Sequence, residues 1–272
     1  MKKTDTAGYS KRRWRATALA IVVGAAASAL FGAESAKAQD QTTIGIDDSY
    51  PPYMFSSNGR PAGLYYDLIS GVFERMDISV AIEPMAWTTA VERTDRAEIG
   101  LGGLYKNDAR LKKYDYSDAI LEEKLMVFVR SGTEFAFNGL EDLRGLVVGV
   151  NSGWSYGQAF DDARAEGMFT AEEAKSDTEN LMKLRAGEID AAIVDSLAAR
   201  TIISRREDLK DSVVELTTPM ATNKGYLAFH KDAGKQSLLE YFDYILSSMK
   251  DDGSFDSIFL LSVEENAIVQ AD

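Results

Sequence analysis

Strand-like and helix-like segments alternate along this chain in two successive series, and that repetition limits the fold to the α/β class. Thr42 to Ile46 reads as a short strand that ends in Asp47-Asp48-Ser49-Tyr50-Pro51-Pro52-Tyr53, a turn that its prolines keep extended. Leu64, Leu68, Ile69, Val72, Phe73 and Met76 recur at helical spacing and predict a helix from about Gly63 to Met76. A strand over Ile78 to Ile82, a helix from Trp87 to about Asp95 and an apolar segment beginning near Glu98 complete the first series. The second series comprises a strand at Leu146–Val150, a helix over Tyr156–Glu166 and an acidic linker. It continues with a helix at Thr178–Ala186, a strand at Ala191–Val194 and a helix at Ala198–Ser204. Leu125 to Val129 is an apolar strand between the two series, and Leu140 to Gly145 a polar connector. Gly225 to His230 reads as a strand leading away from the second series. Leu238, Leu239, Phe242, Ile245, Leu246 and Met249 then mark a long amphipathic helix, and residues from about Ser262 read as a polar, frayed tail. Ligands of a parallel α/β sheet sit beyond the carboxyl ends of its strands. Asp47, Tyr50, Trp87 and the pair Gly102-Gly103 all fall at or past such ends.

The first 38 residues read as an export signal. Lys2, Lys3, Lys11, Arg12, Arg13 and Arg15 precede an apolar run from Ala16 to Leu30, and Ala36-Lys37-Ala38 offers small residues for cleavage after Ala38. Arg12-Arg13 leaves both general and twin-arginine export open, with Trp14 and Arg15 pointing to the former. The remaining 234 residues carry 23 basic against 41 acidic side chains. Such a surface repels nucleic acid and anionic lipid. The chain has no cysteine, which excludes a disulfide framework, a thiolate metal site and an acylated N-terminal cysteine. A soluble protein of a bacterial periplasm is the expectation.

The stretch Glu98 to Asp118 holds Arg110 in a polar turn just past a strand. A guanidinium there offers two parallel donors to a carboxylate, although pairing with Asp108 or Asp115 is the plainer reading. Gly153-Trp154-Ser155-Tyr156-Gly157 is a literal G-x-S-x-G between strand and helix, with Asp195 and His230 following in the order of a hydrolase triad. Against a nucleophile elbow stand the position of His230 at the end of an apolar strand and the lack of a His-Gly-Gly segment. The same stretch also suits anion binding through a hydroxyl and backbone N–H groups, or a simple helix cap at Ser155. Asp195, at the end of Ala191–Val194, could hold an ammonium group or cap the helix that follows. No spacing of His230 with carboxylates suggests a metal, and Gly100-Leu101-Gly102-Gly103 lacks the Lys-Ser/Thr of a phosphate loop. No cofactor is expected.

With Arg110, Ser155 and Asp195 in view, the chain resembles the type 3 extracellular solute-binding family, the amino-acid receptors of ABC importers. The words that carry the resemblance are Ile44 to Tyr53, Gly63 to Leu68, Arg110 with Tyr116-Ser117-Asp118, Leu140 to Gly145, Gly187 to Asp195 and Asp252-Gly253. The resemblance implies a two-lobed periplasmic binding protein of type II with two hinge crossover strands. Lobe 1 would be 39–124 with 223–262, lobe 2 125–222, and 263–272 a tail. It further implies that Arg110, helped by Ser155, takes a ligand carboxylate, and that Asp195, with a carbonyl near Gly103, takes the ammonium. Tyr50 and Trp87 would flank the side chain, and Asp47 could meet a cationic group. Tyr105 and Trp154 stand where the family commonly has small hydroxyl residues, which implies a narrower pocket. The implied partners are an amino acid or related zwitterion and a membrane permease, with the receptor itself a non-enzymatic monomer. Periplasmic enzymes on the same fold, such as cyclohexadienyl dehydratases, are the alternative.

Overall fold

The first series begins with β1 (Thr42–Asp47), followed by the short strands β2 (Ser49–Tyr50), β3 (Met54–Ser57) and β4 (Arg60–Ala62). The last three pair antiparallel into a small separate sheet. Helix α1 (Leu64–Arg75) follows and buries Leu64, Tyr65, Leu68, Ile69, Val72 and Phe73, the apolar stripe that its sequence spacing predicts. Next come β5 (Val80–Met85), α2 (Trp87–Asp95), β6 (Gly100–Tyr105), α3 (Asp108–Lys113) and the long β7 (Tyr114–Arg130). A 3-10 turn at Leu140–Leu143 leads into β8 (Val147–Asn151), α4 (Gln158–Ala165) and β9 (Thr170–Ala174). The second series ends with α5 (Asp177–Ala186), β10 (Ala191–Asp195), α6 (Ser196–Arg205) and β11 (Val213–His230). Helices α7 (Gln236–Asp251) and α8 (Ser254–Ile268) close the chain. This computed structural model describes residues 41–268, so the export-signal reading lies outside the described residues.

One eight-stranded sheet runs β5-β1-β6-β11-β7-β10-β8-β9. Its two flanks, β5-β1-β6 and β10-β8-β9, are parallel, as strand-helix-strand connections require. Between them lie β7 and β11, antiparallel to each other over nearly their whole length. The Leu125–Val129 half of β7 pairs with β10, whereas the Gly225–Phe229 half of β11 pairs with β6. The paired long strands thus link the two flanks, β11 bonded to the first and β7 to the second, and together they are the two crossover strands of a two-lobed α/β fold. Their register shifts between Glu215 and Pro219, and again near Tyr226, which bends the sheet where the chain passes from one flank to the other. Apolar cores lie on both sides of this passage. Ile44, Ile46, Leu68, Val72, Leu101 and Phe242 pack under the first flank, and Val127, Val148, Val150, Phe160 and Ile193 under the second.

Strands β7, β9 and β11 and helix α8 differ from the sequence reading. Leu125–Val129 and Gly225–His230 are halves of strands of 17 and 18 residues, because the polar residues at the crossover still hydrogen-bond in the sheet. The acidic linker contains β9, an edge strand whose Glu172 and Glu173 face solvent. The expected frayed tail is instead helical through Ile268, with Ser262 buried and its hydroxyl bonded to Asp67 at 2.5 Å.

Candidate functional site

The carboxyl ends of β1, β6, β8 and β10 place Asp47, Tyr105, Asn151 and Asp195 around one region between the two flanks. Within it lies a cavity lined by Tyr50, Met54, Trp87, Gly103, Tyr105, Arg110, Trp154 and Ser155, with about 240 Å³ of empty space. Seven residues singled out from the sequence thus share one cavity. Gly103 is left-handed, at φ 78°, and a Cβ there would come within 2.7 Å of Met54 Cε, so a side chain would close the wall inward.

Arg110 reaches the cavity from α3, whose first turn Asn107 caps by accepting the Arg110 backbone N–H at 2.9 Å. Its guanidinium donates to two carbonyls, through Nη1 to Tyr105 O at 3.0 Å and through Nη2 to Gly153 O at 3.4 Å. Among the described residues no carboxylate pairs with it, so the plain reading of a salt bridge to Asp108 or Asp115 does not describe this arginine. Burial holds its pKa below the usual arginine value. A cation held by neutral carbonyls at a cavity wall is a site poised for an anion.

Ser155 donates its hydroxyl hydrogen to Asp161 Oδ2 and accepts from Asn107 Nδ2 at 3.1 Å. Asp161 Oδ1 takes the Tyr156 N–H at 3.1 Å, which fixes the loop entering α4. His230 is engaged elsewhere: its Nδ1 accepts from Asp232 N at 3.2 Å and its ring stands edge-on to Tyr114. Ser155 therefore has an aspartate and an asparagine as partners and no histidine, and the triad suggested by G-x-S-x-G is not assembled.

Gly153 and Trp154 reach across from the β8–α4 loop. Trp87 Nε1 donates to Gly153 O at 3.2 Å, and Trp154 Nε1 to Asp47 Oδ2 at 3.3 Å. The Trp154 ring meets Tyr50 edge-on at 4.6 Å. Asp47 lies beside the cavity rather than on its wall. Its Oδ1 accepts from Ser49 N at 2.8 Å and Ser49 Oγ at 2.9 Å, and burial above all pushes its pKa up to about 6. Asp195 also stands behind the wall. Its Oδ1 caps α6 through Leu197 N at 2.7 Å and Ala198 N at 3.0 Å, while the Tyr53 hydroxyl bonds the same carboxylate. The cap and the Tyr53 bond account for this side chain's partners, and burial first of all raises its pKa.

Sequence reasoning did not single out Met54, Asn107, Asp161, Glu123 or the buried chain Asp177–Asn151–Asn180. In that chain Asn151 Nδ2 donates to Asp177 Oδ1 at 2.8 Å and Asn180 Nδ2 to Asn151 Oδ1 at 2.9 Å. Burial pushes Asp177 up to about 8, with the charges of Asp195, Asp47 and Glu123 adding to it. Glu123 carried a usable signal: strand alternation through Leu121 and Leu125 puts it on the buried face. No cluster of metal-ligating side chains occurs among the described residues.

The sequence matches the family model of bacterial extracellular solute-binding proteins, family 3, over residues 42–260. It is similar to the L-cystine-binding protein TcyJ of Escherichia coli (strain K12), 23% identical over 218 residues that cover 79% of each chain. The arginine-binding extracellular protein ArtP of Bacillus subtilis (strain 168) is 21% identical over 245 residues, 89% of this chain and 93% of the relative. Among solved structures, a histidine kinase sensor domain with similarity to periplasmic binding proteins superposes with a TM-score of 0.71 at 24% identity, over 80% of this chain and 94% of that one. An arginine 3rd transport system periplasmic binding protein from Legionella pneumophila gives 0.68 at 19% identity, over 82% and 99%. The fold is that of the periplasmic binding proteins, and the named curated relatives are binding proteins rather than enzymes.

Proposed function

We propose, from the premise that this chain belongs to the bacterial extracellular solute-binding proteins of family 3, that it is the periplasmic receptor of an ABC importer for an amino acid or related small zwitterion. The observation that carries this reading is Arg110, a partly buried guanidinium at the wall of an aromatic cavity, answered among the described residues by the carbonyls of Tyr105 and Gly153 and by no carboxylate. A ligand carboxylate would replace those neutral acceptors with a charge, and the Ser155 hydroxyl stands on the same wall to assist it. Asp195, helped by the Gly103 carbonyl, takes the ligand ammonium, and Tyr50 and Trp87 flank its side chain. Asp47 supplies negative charge to a cationic side chain, and Tyr105 and Trp154 limit the ligand's size.

Lobe 1 comprises 39–124 and 223–262, and lobe 2 comprises 125–222. Ligand settles first on Arg110 and Trp87 of lobe 1, and closure adds Ser155, Trp154 and Asp195 from lobe 2. Ligand stabilises the closed form because half its polar partners exist only there. Trp87 and Arg110 already meet the Gly153 carbonyl across the cleft, which supports closure around this loop. The receptor acts as a monomer, without a catalytic step, and delivers its cargo to a membrane permease. A thermal-shift screen of the standard L-amino acids and L-cystine tests the reading. At least one of them raises the melting temperature in a concentration-dependent way, and a flat panel would refute it.

A further inference from the structure

Glu123 has no part in the ligand contacts described above, yet it sits at the centre of the hinge. It lies on β7 opposite Asn223 of β11, where both strands pass between the flanks, and its side chain is fully buried. Three phenols enclose its carboxylate. Oε2 accepts from Tyr50 at 2.6 Å and from Tyr105 at 2.5 Å, and Oε1 accepts from Tyr65 at 2.5 Å. These donors come from β2, β6 and α1, three separate elements of the first series. Tyr50 and Tyr105 are also cavity walls. No lysine or arginine pairs with Glu123 among the described residues, so the three hydroxyls alone compensate the burial of its charge.

A leucine would fill this space without desolvating a carboxylate, so packing alone does not explain a glutamate here. What the carboxylate adds is direction: each phenol must aim at one of two oxygens, which fixes ring position as well as distance. We propose that Glu123 is a positioning residue of the ligand site, holding the Tyr50 and Tyr105 rings in register with the crossover strand and thereby setting the shape of the cavity that selects among small zwitterions. This rests on the receptor reading given above.

The groups facing Glu123 are Tyr50 and Tyr53 beside β2, Tyr65 of α1, Tyr105 of β6, Asp195 of β10 and Asp177 of α5, while β11 presents Gly225. Burial, with Asp195 adding, pushes the Glu123 carboxyl up to about 7. Protonation turns one acceptor oxygen into a donor and releases one of the three phenols. Because the Tyr50 ring packs edge-on against Trp154, the change is visible in tryptophan fluorescence.

The test has two arms. In the first, the fluorescence of the protein alone is titrated from pH 5 to 9. A step near pH 7 is expected in the unmodified protein, in Asp47→Asn and in Arg110→Ala, and its loss is expected in Glu123→Gln. Because Asp47 Oδ2 itself accepts from Trp154 Nε1 and is raised to about 6, the decisive comparison is made in the Asp47→Asn background, where a step near pH 7 that survives the further change Glu123→Gln overturns the proposal. In the second arm, calorimetric titrations with L-arginine and L-cystine compare Glu123→Gln and Tyr105→Phe with the unmodified protein. Both variants, shown folded by circular dichroism, should bind about tenfold more weakly or reverse the preference between the two probes, the scale of one misdirected hydrogen bond. Unchanged affinities in folded Glu123→Gln also overturn the proposal. If neither probe binds the unmodified protein while the pH step behaves as stated, the choice of ligand class falls and the hold of Glu123 on the tyrosines stands. The two claims therefore fail separately.

Discussion

A methyl group added at Gly225 tests how tightly the hinge is built. Gly225 is buried on β11 and lies outside the left-handed region, so alanine meets no backbone penalty and the cost is steric. A Cβ there would stand 1.7 Å from the Tyr65 hydroxyl oxygen, 2.7 Å from its Cζ and 3.1 Å from Glu123 Oε1. The hydroxyl has to move, and it is the donor to Glu123 Oε1. Losing a hydrogen bond to a buried charge costs about 1.5–3 kcal/mol. Overpacking against a fully buried tyrosine adds about 1–3 kcal/mol. Gly225→Ala should therefore cost roughly 3–6 kcal/mol, a fall in melting temperature on the order of 10 °C for a chain of this size. Urea unfolding followed by circular dichroism measures it. In a Tyr65→Phe background the closest clash is gone, and the added cost of alanine should shrink by at least about 1 kcal/mol. A cost below about 1 kcal/mol for Gly225→Ala, or full additivity of the two substitutions, would show that the hydroxyl is not wedged between the crossover strands.

Stability should rise as pH falls from 8 to 5. Burial raises Asp47 to about 6, Glu123 to about 7 and Asp177 to about 8, so the folded chain keeps protons that the unfolded chain has lost. Their contribution is fully present below the ordinary carboxylate range and disappears as pH climbs through 6 to 8, and Glu123 alone accounts for roughly 3 kcal/mol. Urea midpoints at the two pH values check the sign. Asp195→Asn keeps an oxygen to cap α6 and should change stability by less than about 1 kcal/mol, whereas Asp195→Ala loses the cap at a cost of about 1 kcal/mol. Both should weaken binding of an α-amino acid in calorimetry. Trp154→Ala removes the indole that occupies Asp47 Oδ2, and should shift preference toward longer cationic side chains, measured as the affinity ratio of L-arginine to L-alanine.

The parallel flanks were legible because their strands and helices carry the apolar periods that burial imposes. Helix α1 ends within a residue of its sequence reading, and α2 matches it. The crossover strands were legible only in halves. Glu122, Glu123 and Lys124 on β7 and Asn223 and Lys224 on β11 interrupt the apolar run exactly where the strands change flank. At an edge, β9 can be acidic because only one side of it pairs, which leaves a polar segment without a strand pattern. Of the cavity residues, Tyr50, Trp87, Gly103 and Arg110 were legible from their places at or past strand ends and Ser155 from G-x-S-x-G, whereas Tyr105 and Trp154 were singled out only through the family resemblance. Asn107 and Asp161, which share Ser155 from 48 and 6 positions away, depend on how two loops meet in space and leave no local pattern. Glu123 was readable from alternation alone, but its three phenol partners were not.

The carboxylate clamp is the centre of this account, and Arg110→Ala tests it most directly. Protein freed of bound solute by unfolding and refolding is titrated calorimetrically with whichever standard L-amino acid gives the largest thermal shift. The same titration is repeated on Arg110→Ala and with the amide of that amino acid. Loss of about 2–5 kcal/mol of binding, a factor of tens or more, is predicted for the variant, and a comparable loss for the amide on the unmodified protein. Equal affinity of Arg110→Ala and the unmodified protein for the free acid would contradict the assignment of Arg110 and the receptor mechanism built on it.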